Sequence, residues 1–234
     1  MYWLAVILVV ALLAFMVWAS AYIGSGVYVK ALCRGEADNA QKSVAITFDD
    51  GPDAEMTPRV LDVLRRHDVK AAFFVIGEKV RRNPQIVERM VGEGHIVANH
   101  TRSHRFDFPL SSYENVVREI GECSDAVEAA IGRRPKLFRP PFGVTNPSIG
   151  RTVRFLGLQC IGWSIRSLDT VSRRSRADVL DRITERLHDG AVILLHDRCP
   201  GADMLLDALI VRIRERGYGI KRVDELLKTE AYEA

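Results

Sequence analysis

Beyond residue 43 the chain alternates short apolar runs with amphipathic stretches, and no other feature narrows its possible folds as much. Residues 44–48, 71–76, 95–98, 137–138, 159–163, 191–195 and 218–221 read as strands. Between them, 57–67, 84–93, 112–131, 147–156, 176–188, 202–216 and 223–228 read as helices. The longest carries a stripe of Val116, Ile120, Cys123, Val127 and Ala130, stopped by Gly132. Strands separated by helices pair in parallel, because each crossover returns the chain to the same end of the sheet. About seven such units close into a barrel or lie open as a doubly wound sheet, with the chemistry at the strand ends. No G-x-G-x-x-G or P-loop follows the first strand, so nucleotide binding has no support.

The leader is different in kind. No charged side chain precedes Lys30. As a helix, residues 2–23 reach about 33 Å, enough for a bilayer core. Trp3 and Trp18 sit near the ends, where indoles favour the interface. The reading is a single membrane anchor. The competing one is a cleaved signal peptide with Ala19-Ser20-Ala21 as the cleavage site, and it is weakened because no Lys or Arg precedes the apolar run. The expected organisation is an anchor or uncleaved signal segment at 1–29, a linker at 30–43, the main domain at 44–228 and a tail at 229–234. Lys30 and Arg34 alone vote for a cytoplasmic body. The net charge of +3 is small, its arginine pairs are scattered, and nothing resembles a nucleic-acid motif. Cys33, Cys123, Cys160 and Cys199 show no CxxC spacing, and a disulfide is neither deducible nor excluded.

Four groups of reactive residues fall at strand ends. Asp49 and Asp50 adjoin after the first strand, a costly pairing unless a cation or a shared proton relieves it. His100 and His104 are four apart, so on a helical turn they point the same way and suit one metal ion. Two imidazoles and a carboxylate leave coordination positions open and favour zinc or a similar ion over Ca²⁺ or Mg²⁺. Arg139 opens a rigid Pro-Pro loop and has the fork to hold a carboxylate. His196 ends the 191–195 strand, where an imidazole suits a general acid.

Together, Thr47-Phe-Asp-Asp-Gly51, His100-Thr-Arg-Ser-His104, Arg139-Pro-Pro-Phe142 and Leu194-Leu-His196 resemble the successive motifs of the polysaccharide deacetylases. This is the NodB-homology group, carbohydrate esterase family four, and the resemblance covers about Val44 to Leu227. It implies a distorted (β/α) barrel, preceded here by one transmembrane helix, and metal-dependent removal of acetyl groups from an N-acetylated polysaccharide. By position, Asp49 resembles the catalytic base, and Asp50, His100 and His104 resemble the ligands of a divalent metal, zinc-like. Arg139 resembles the residue that orients the base, and His196 the general acid with Asp169 as its partner. Pro141, Phe142, Trp163 and Leu194 fall at substrate-contacting positions, with the Phe142 N–H at the oxyanion and Leu194 at the acetyl group. The fourth motif departs from the family pattern, since Arg166 replaces its first Asp and Thr170 its second Trp. That departure leaves the substrate groove open. A deacetylase of envelope glycans must work outside the cytoplasm, so the expected protein is single-pass with its body outward. An O-acetyl esterase or other amidase on the same barrel is the alternative, and a non-catalytic glycan-binding protein the next.

Overall fold

The structure, a computed structural model, describes residues 2–37 and 41–233. Every residue of β1 (Ser43–Asp49) is buried, but alternate residues meet different surroundings. Val44, Ile46 and Phe48 face an outer core shared with helices, whereas Ala45 belongs to an inner one. Because side chains alternate along a strand, Thr47 and Asp49 share the inner side with Ala45. β2 (Ala72–Val75) and β7 (Ala191–His196) flank β1, both parallel to it. From β2 the ladder runs to β3 (Ile96–Asn99), β4 (Leu137–Phe138) and β5 (Gln159–Cys160); from β7 it runs to β6 (Ile165–Arg166). β8 (Gly219–Ile220) pairs with the start of β1. β5 and β6 end this ladder at opposite edges, yet only residues 161–164 separate them in the chain. The sheet therefore curls round on itself as a distorted, half-closed barrel, in agreement with the expected fold class.

Helices clothe the outside. Val60, Leu61 and Leu64 of α2 (Met56–Arg66) belong to the outer core with Val44, Ile46 and Phe48. The order continues as α3 (Gly77–Arg82), α4 (Pro84–Gly92), α5 (Tyr113–Ile131), α6 (Pro147–Phe155), α7 (Arg176–Thr184), α8 (Ala202–Glu215) and α9 (Val223–Leu227). Local chemistry sets several boundaries. Ser112 caps α5 by accepting the Asn115 N–H, and Gly132 ends it at φ 68°. Ser175 and Asp178 form a reciprocal capping box on α7.

Three local differences from the sequence reading have physical causes. α3 was not expected, because six residues with a single buried aliphatic side chain, Val80, leave no periodicity to read. The 159–163 strand stops at Cys160, because the carbonyls of Ile161 and Gly162 accept hydrogen bonds from the Arg139 side chain (3.1 and 2.8 Å). α7 ends at Thr184, whose hydroxyl bonds back to the carbonyls of Leu180 and Asp181, a contact that bends helices.

α1 (Tyr2–Ala21) is the one described helix long and apolar enough to cross a membrane. Within 30–43, read as a linker, Leu32 bridges Ile161, Arg34 bridges Ala191, and the Gly35 N–H reaches the Gly190 carbonyl. These residues are docked on the barrel. So is the stretch read as a tail, since Ala231 and Tyr232 are buried in the inner core with Val223 and Leu226. The Tyr232 hydroxyl accepts the Val97 N–H at 2.9 Å, and Arg133 stacks on its ring. All four cysteines are free thiols. Tyr232→Phe orphans a buried N–H, at a cost of about 1–3 kcal/mol. The melting temperature of the detergent-solubilised chain should fall by roughly 2–4 °C per kcal/mol lost, and an unchanged melting temperature would show that this end of the chain does not brace the barrel.

Candidate active site

Strand register sets the site's first contacts. Asp49, the last residue of β1, lies level with His196 at the end of β7 and with Phe74 in β2. Asp50 then turns out of the strand with φ 72°, a left-handed conformation that costs a non-glycine residue about 1–3 kcal/mol. Thr101 (φ 69°), His104 (φ 51°), Phe142 (φ 61°) and Leu168 (φ 62°) carry the same strain around the site. Local bonds hold these turns. Lys79 donates to the Asp50 carbonyl (2.7 Å), Asn99 accepts the Thr101 N–H (2.9 Å), and the Thr101 hydroxyl accepts the His104 N–H (3.1 Å).

The turns bring three candidate ligands together. Asp50 Oδ1 lies 3.5 Å from His100 Nε2 and 3.3 Å from His104 Nε2, and one ligand atom from each residue fits within 4.8 Å of the others. His100 Nδ1 is 2.7 Å from the Arg139 carbonyl, which can only accept. The ring proton therefore sits on Nδ1, leaving the Nε2 lone pair facing Asp50. Burial, with the neighbouring His100 next, pushes His104 down to about 4, so near pH 7 its imidazole is the neutral, ligating form. Burial would raise the Asp50 carboxyl, but whenever the imidazoles around it carry protons, a hydrogen bond from His100 and the charges of His100, His104 and His196 outweigh burial and hold Asp50 well below the usual range. Two neutral nitrogens, one carboxylate and an open side fit a zinc-like divalent ion.

Behind the triad sits a buried arginine. Arg139 is wholly inaccessible to solvent, and its Nη1 donates to Asp49 Oδ1 (2.6 Å) and to Thr47 Oγ1 (2.9 Å). Its guanidinium lies over the Phe74 ring at 3.9 Å. On the other side, His196 Nδ1 is 2.8 Å from Asp169 Oδ1, while Asp169 Oδ2 accepts the His196 backbone N–H (2.7 Å). Burial alone would lower His196, but the hydrogen bond and charge of Asp169, aided by Asp49 and Asp50, raise its pKa above the ordinary imidazole value.

A cavity of about 170 Å³ opens over these groups. Asp49, the triad and His196 line one part, and Phe142, Trp163, Arg166, Thr170, Leu194 and Arg198 the rest. The Phe142 ring meets His104 edge-on at 4.9 Å. Of the residues read as substrate contacts, Phe142, Trp163 and Leu194 reach the cavity; Pro141 is buried and does not line it. Pro141 instead begins the tight turn that places Phe142 in its left-handed conformation. Arg139 and Asp169 stand behind Asp49 and His196 rather than on the cavity wall. Among the described residues no carboxylate pairs with the Arg166 guanidinium, which faces the cavity beside Trp163.

Two site residues were not singled out from sequence. Arg198 Nε donates to Asp50 Oδ2 at 2.9 Å, adding a cation to the triad's rim. Asp197 is fully buried against the same turn: Thr57 donates to it at 2.6 Å, and a Cβ at Gly51 would come within 2.3 Å of its carboxylate. Burial pushes the Asp197 carboxyl up to about 7. Both follow His196 directly, but residues in a turn have no periodicity that says which way they point. Cys199, three residues after His196, lines a separate cavity with Asp169 and Arg174, and burial pushes its thiol up to about 11.

The curled sheet and its strand-end cluster of two aspartates, two histidines and a buried arginine are the arrangement that the polysaccharide deacetylase family implies. The chain belongs to that family: residues 36–161 match the family described as polysaccharide deacetylase. It is 35% identical over 205 residues to the peptidoglycan-N-acetylglucosamine deacetylase of Listeria monocytogenes, covering 88% of this chain and 42% of that protein. The chain thus spans about two fifths of that relative's length. It is 34% identical over 197 residues to the chitooligosaccharide deacetylase of Sinorhizobium fredii, covering 78% of this chain and 91% of that protein. A solved peptidoglycan N-acetylglucosamine deacetylase, in complex with 4-naphthalen-1-yl-N-oxidanyl-benzamide, superposes with a TM-score of 0.79 at 29% identity, covering 93% of this chain and 98% of that one.

The triad geometry makes a direct expectation. In equilibrium dialysis the full chain should retain one Zn²⁺, and Asp50→Asn or His104→Ala should weaken binding by more than about 10-fold, beyond what loss of an outer partner usually costs. Equal zinc retention in all three proteins would show that the cluster is not the metal site.

Proposed function

We propose that the protein is a membrane-anchored, metal-dependent N-deacetylase that hydrolyses the acetamido group of N-acetylglucosamine units in an envelope polysaccharide. The observation that carries this reading is the pairing of two oppositely equipped groups across one small cavity. Asp49 is held by Arg139 at 2.6 Å, and His196 is held by Asp169 at 2.8 Å. Asp50, His100 and His104 would hold the divalent ion, zinc-like by their donor atoms. When bound, that ion supplies Lewis acidity at the water and the amide carbonyl.

The chain's own residues do the proton work. Asp49 takes the proton of the attacking water, with Arg139 fixing which oxygen faces the cavity. His196, its pKa raised by Asp169, gives a proton to the departing amine nitrogen, which leaves poorly without one. The Phe142 N–H is assigned by the family resemblance to the carbonyl oxygen, where it would donate as negative charge develops. Leu194 and Trp163 offer apolar surface to the acetyl methyl and the sugar face. The ligand set, the base and the acid together favour turnover over mere glycan binding, which needs neither Asp49 nor His196. The body works outside the cytoplasm, where an envelope glycan lies, with α1 as its anchor.

Acetate release from acetylated chito-oligosaccharides and from peptidoglycan is the primary assay. Activity should vanish on chelation and return with zinc. Asp49→Asn should lower kcat by on the order of 10² to 10⁴ while the circular dichroism spectrum stays unchanged. Full activity in that variant, or after complete metal removal, would refute the mechanism. His196→Ala should impair amide hydrolysis far more than hydrolysis of an O-acetyl ester, because an alkoxide leaves more readily than an amine; equal losses would remove His196 from the acid role.

The pH profile tests the acid separately. A general acid must be protonated, so a raised pKa extends activity toward alkaline pH. Asp169→Asn removes the largest raising influence, and the alkaline limb of kcat should move to lower pH. An unmoved limb would mean that Asp169 does not set the proton affinity of His196. Protease protection of residue 233 in sealed vesicles tests the orientation.

A further inference from the structure

α1 does not hang from the body by a tether. Ala19 is fully buried, and its carbonyl accepts the Ser25 hydroxyl (2.8 Å) and the Thr145 hydroxyl (3.4 Å). The next carbonyl, of Ser20, accepts the Thr145 N–H at 2.9 Å. Ile23 is buried in one cluster with Phe108, Phe138, Ile149 and Val153. Further along, Tyr28 lies so close to α6 that a Cβ at Gly150 would come within 2.1 Å of its carbonyl oxygen. The last turn of the apolar helix is therefore part of the barrel's surface, and its exit point is fixed relative to the active site.

The surface around that exit is unusual. Thr145 lies two residues after Gly143, which lines the active-site cavity. Asn146 donates to the Pro109 carbonyl at 2.6 Å and so ties the exit to the loop that carries Phe106 and Leu110. Beyond Ala21, the large apolar side chains exposed among the described residues are eight. Six of them, Tyr22, Val27, Phe106, Leu110, Phe142 and Phe155, lie on segments that meet at this exit. The other two, Met204 and Val211, are on α8. Phe106 and Leu110 are each 89% exposed, and Phe106 stacks edge-on against Phe142 at 5.7 Å. Exposed cations stand among them: Lys30, and Arg151 and Arg154 beside Phe155 on α6. Of the acids nearby, Asp107 is paired with both ends of the Arg105 guanidinium, and Glu114 is exposed.

A helix with no charged side chain has to end at a headgroup layer, with Trp18 and Tyr22 at the level where aromatic residues settle. Side chains on a surface fixed to that end, with no slack between, are held against the same layer. Aromatic and aliphatic groups interleaved with arginine and lysine suit it. We infer that the body docks on the bilayer through this face, with the Phe106–Leu110 loop and the exposed side of α6 seated among lipid headgroups and the cavity opening beside them. This rests on the anchor reading of α1. It deepens the proposed function by placing the site where it takes glycan held at the membrane surface, rather than glycan remote from it.

Fluorescence of the full chain in phosphatidylcholine/phosphatidylglycerol vesicles tests the inference. Cys33 and Cys199 are replaced by Ser, and a single NBD label is placed on Leu110→Cys, Phe155→Cys, Leu8→Cys or Val211→Cys. A label at 110 or 155 should emit to the blue of one at 211, and spin-labelled lipid should quench it about threefold more, as for an interfacial side chain. Labels at 110 and 155 that behave like the one at 211, while the label at 8 is strongly quenched, would overturn the docking surface and leave the anchor intact. An unquenched label at 8 would overturn the anchor reading and the docking surface with it.

Discussion

The site depends on one buried guanidinium. Arg139 brings a full positive charge to a place with no solvent access, which is tolerable only when its N–H groups are met and an opposite charge lies alongside. It is met by Thr47 and Asp49 from β1 and by the carbonyls of Ile161 and Gly162 beyond β5. Those partners come from the middle and the far edge of the curled sheet, so the same side chain that orients Asp49 also draws the barrel's open edge inward. Three inner-facing alanines, Ala45, Ala72 and Ala98, keep the interior narrow in side-chain bulk, and the guanidinium occupies the space above Phe74. A lysine could not replace it, since a point charge has no fork to satisfy four acceptors in different directions.

Around that fixed point the chemistry is arranged by strand ends and by strained turns. Parallel pairing puts Asp49 beside His196 without any help from loops. Asp50, Thr101, His104 and Phe142 then adopt left-handed backbone conformations, and each is braced by a neighbouring bond or ring contact. The result separates two titratable groups by environment: a carboxylate against a buried cation, and an imidazole against a buried carboxylate. The same convergence of turns fixes α1 through Thr145, so the apolar helix and the cavity share one piece of backbone.

Much of this was legible in the chain. The alternation of apolar runs with amphipathic stretches gave a parallel sheet with helices between its strands, because burial on two faces leaves a strong local pattern; its closing into a distorted barrel was implied only by the family resemblance of the motifs. The reactive residues were legible because short motifs carry them. Less legible were elements whose boundaries are set by distant side chains: β5 stops where Arg139 claims the next carbonyls, 22 residues from it in sequence at Ile161. Pro141 was read as a substrate contact from its motif, yet it is buried and serves the turn that presents Phe142. Arg198 and Asp197 went unread because a turn after a strand has no period to reveal direction, and their partners, Asp50 and Thr57, lie 148 and 140 residues away.

The sequence by itself determined the class of fold, the charge-free leader and the identities of the reactive side chains, since each is written in local pattern or spacing. Only the tertiary structure decided which of those side chains face the cavity and which stand behind it, as Asp169 stands behind His196 and Arg139 behind Asp49. It alone turned residues 30–37 and 229–233 from connecting chain into parts of the barrel. It alone joined the apolar helix to the rim of the site. The reason is common to all three: these are contacts between residues far apart in the chain, made by buried hydrogen bonds whose partners exist only once the sheet has curled.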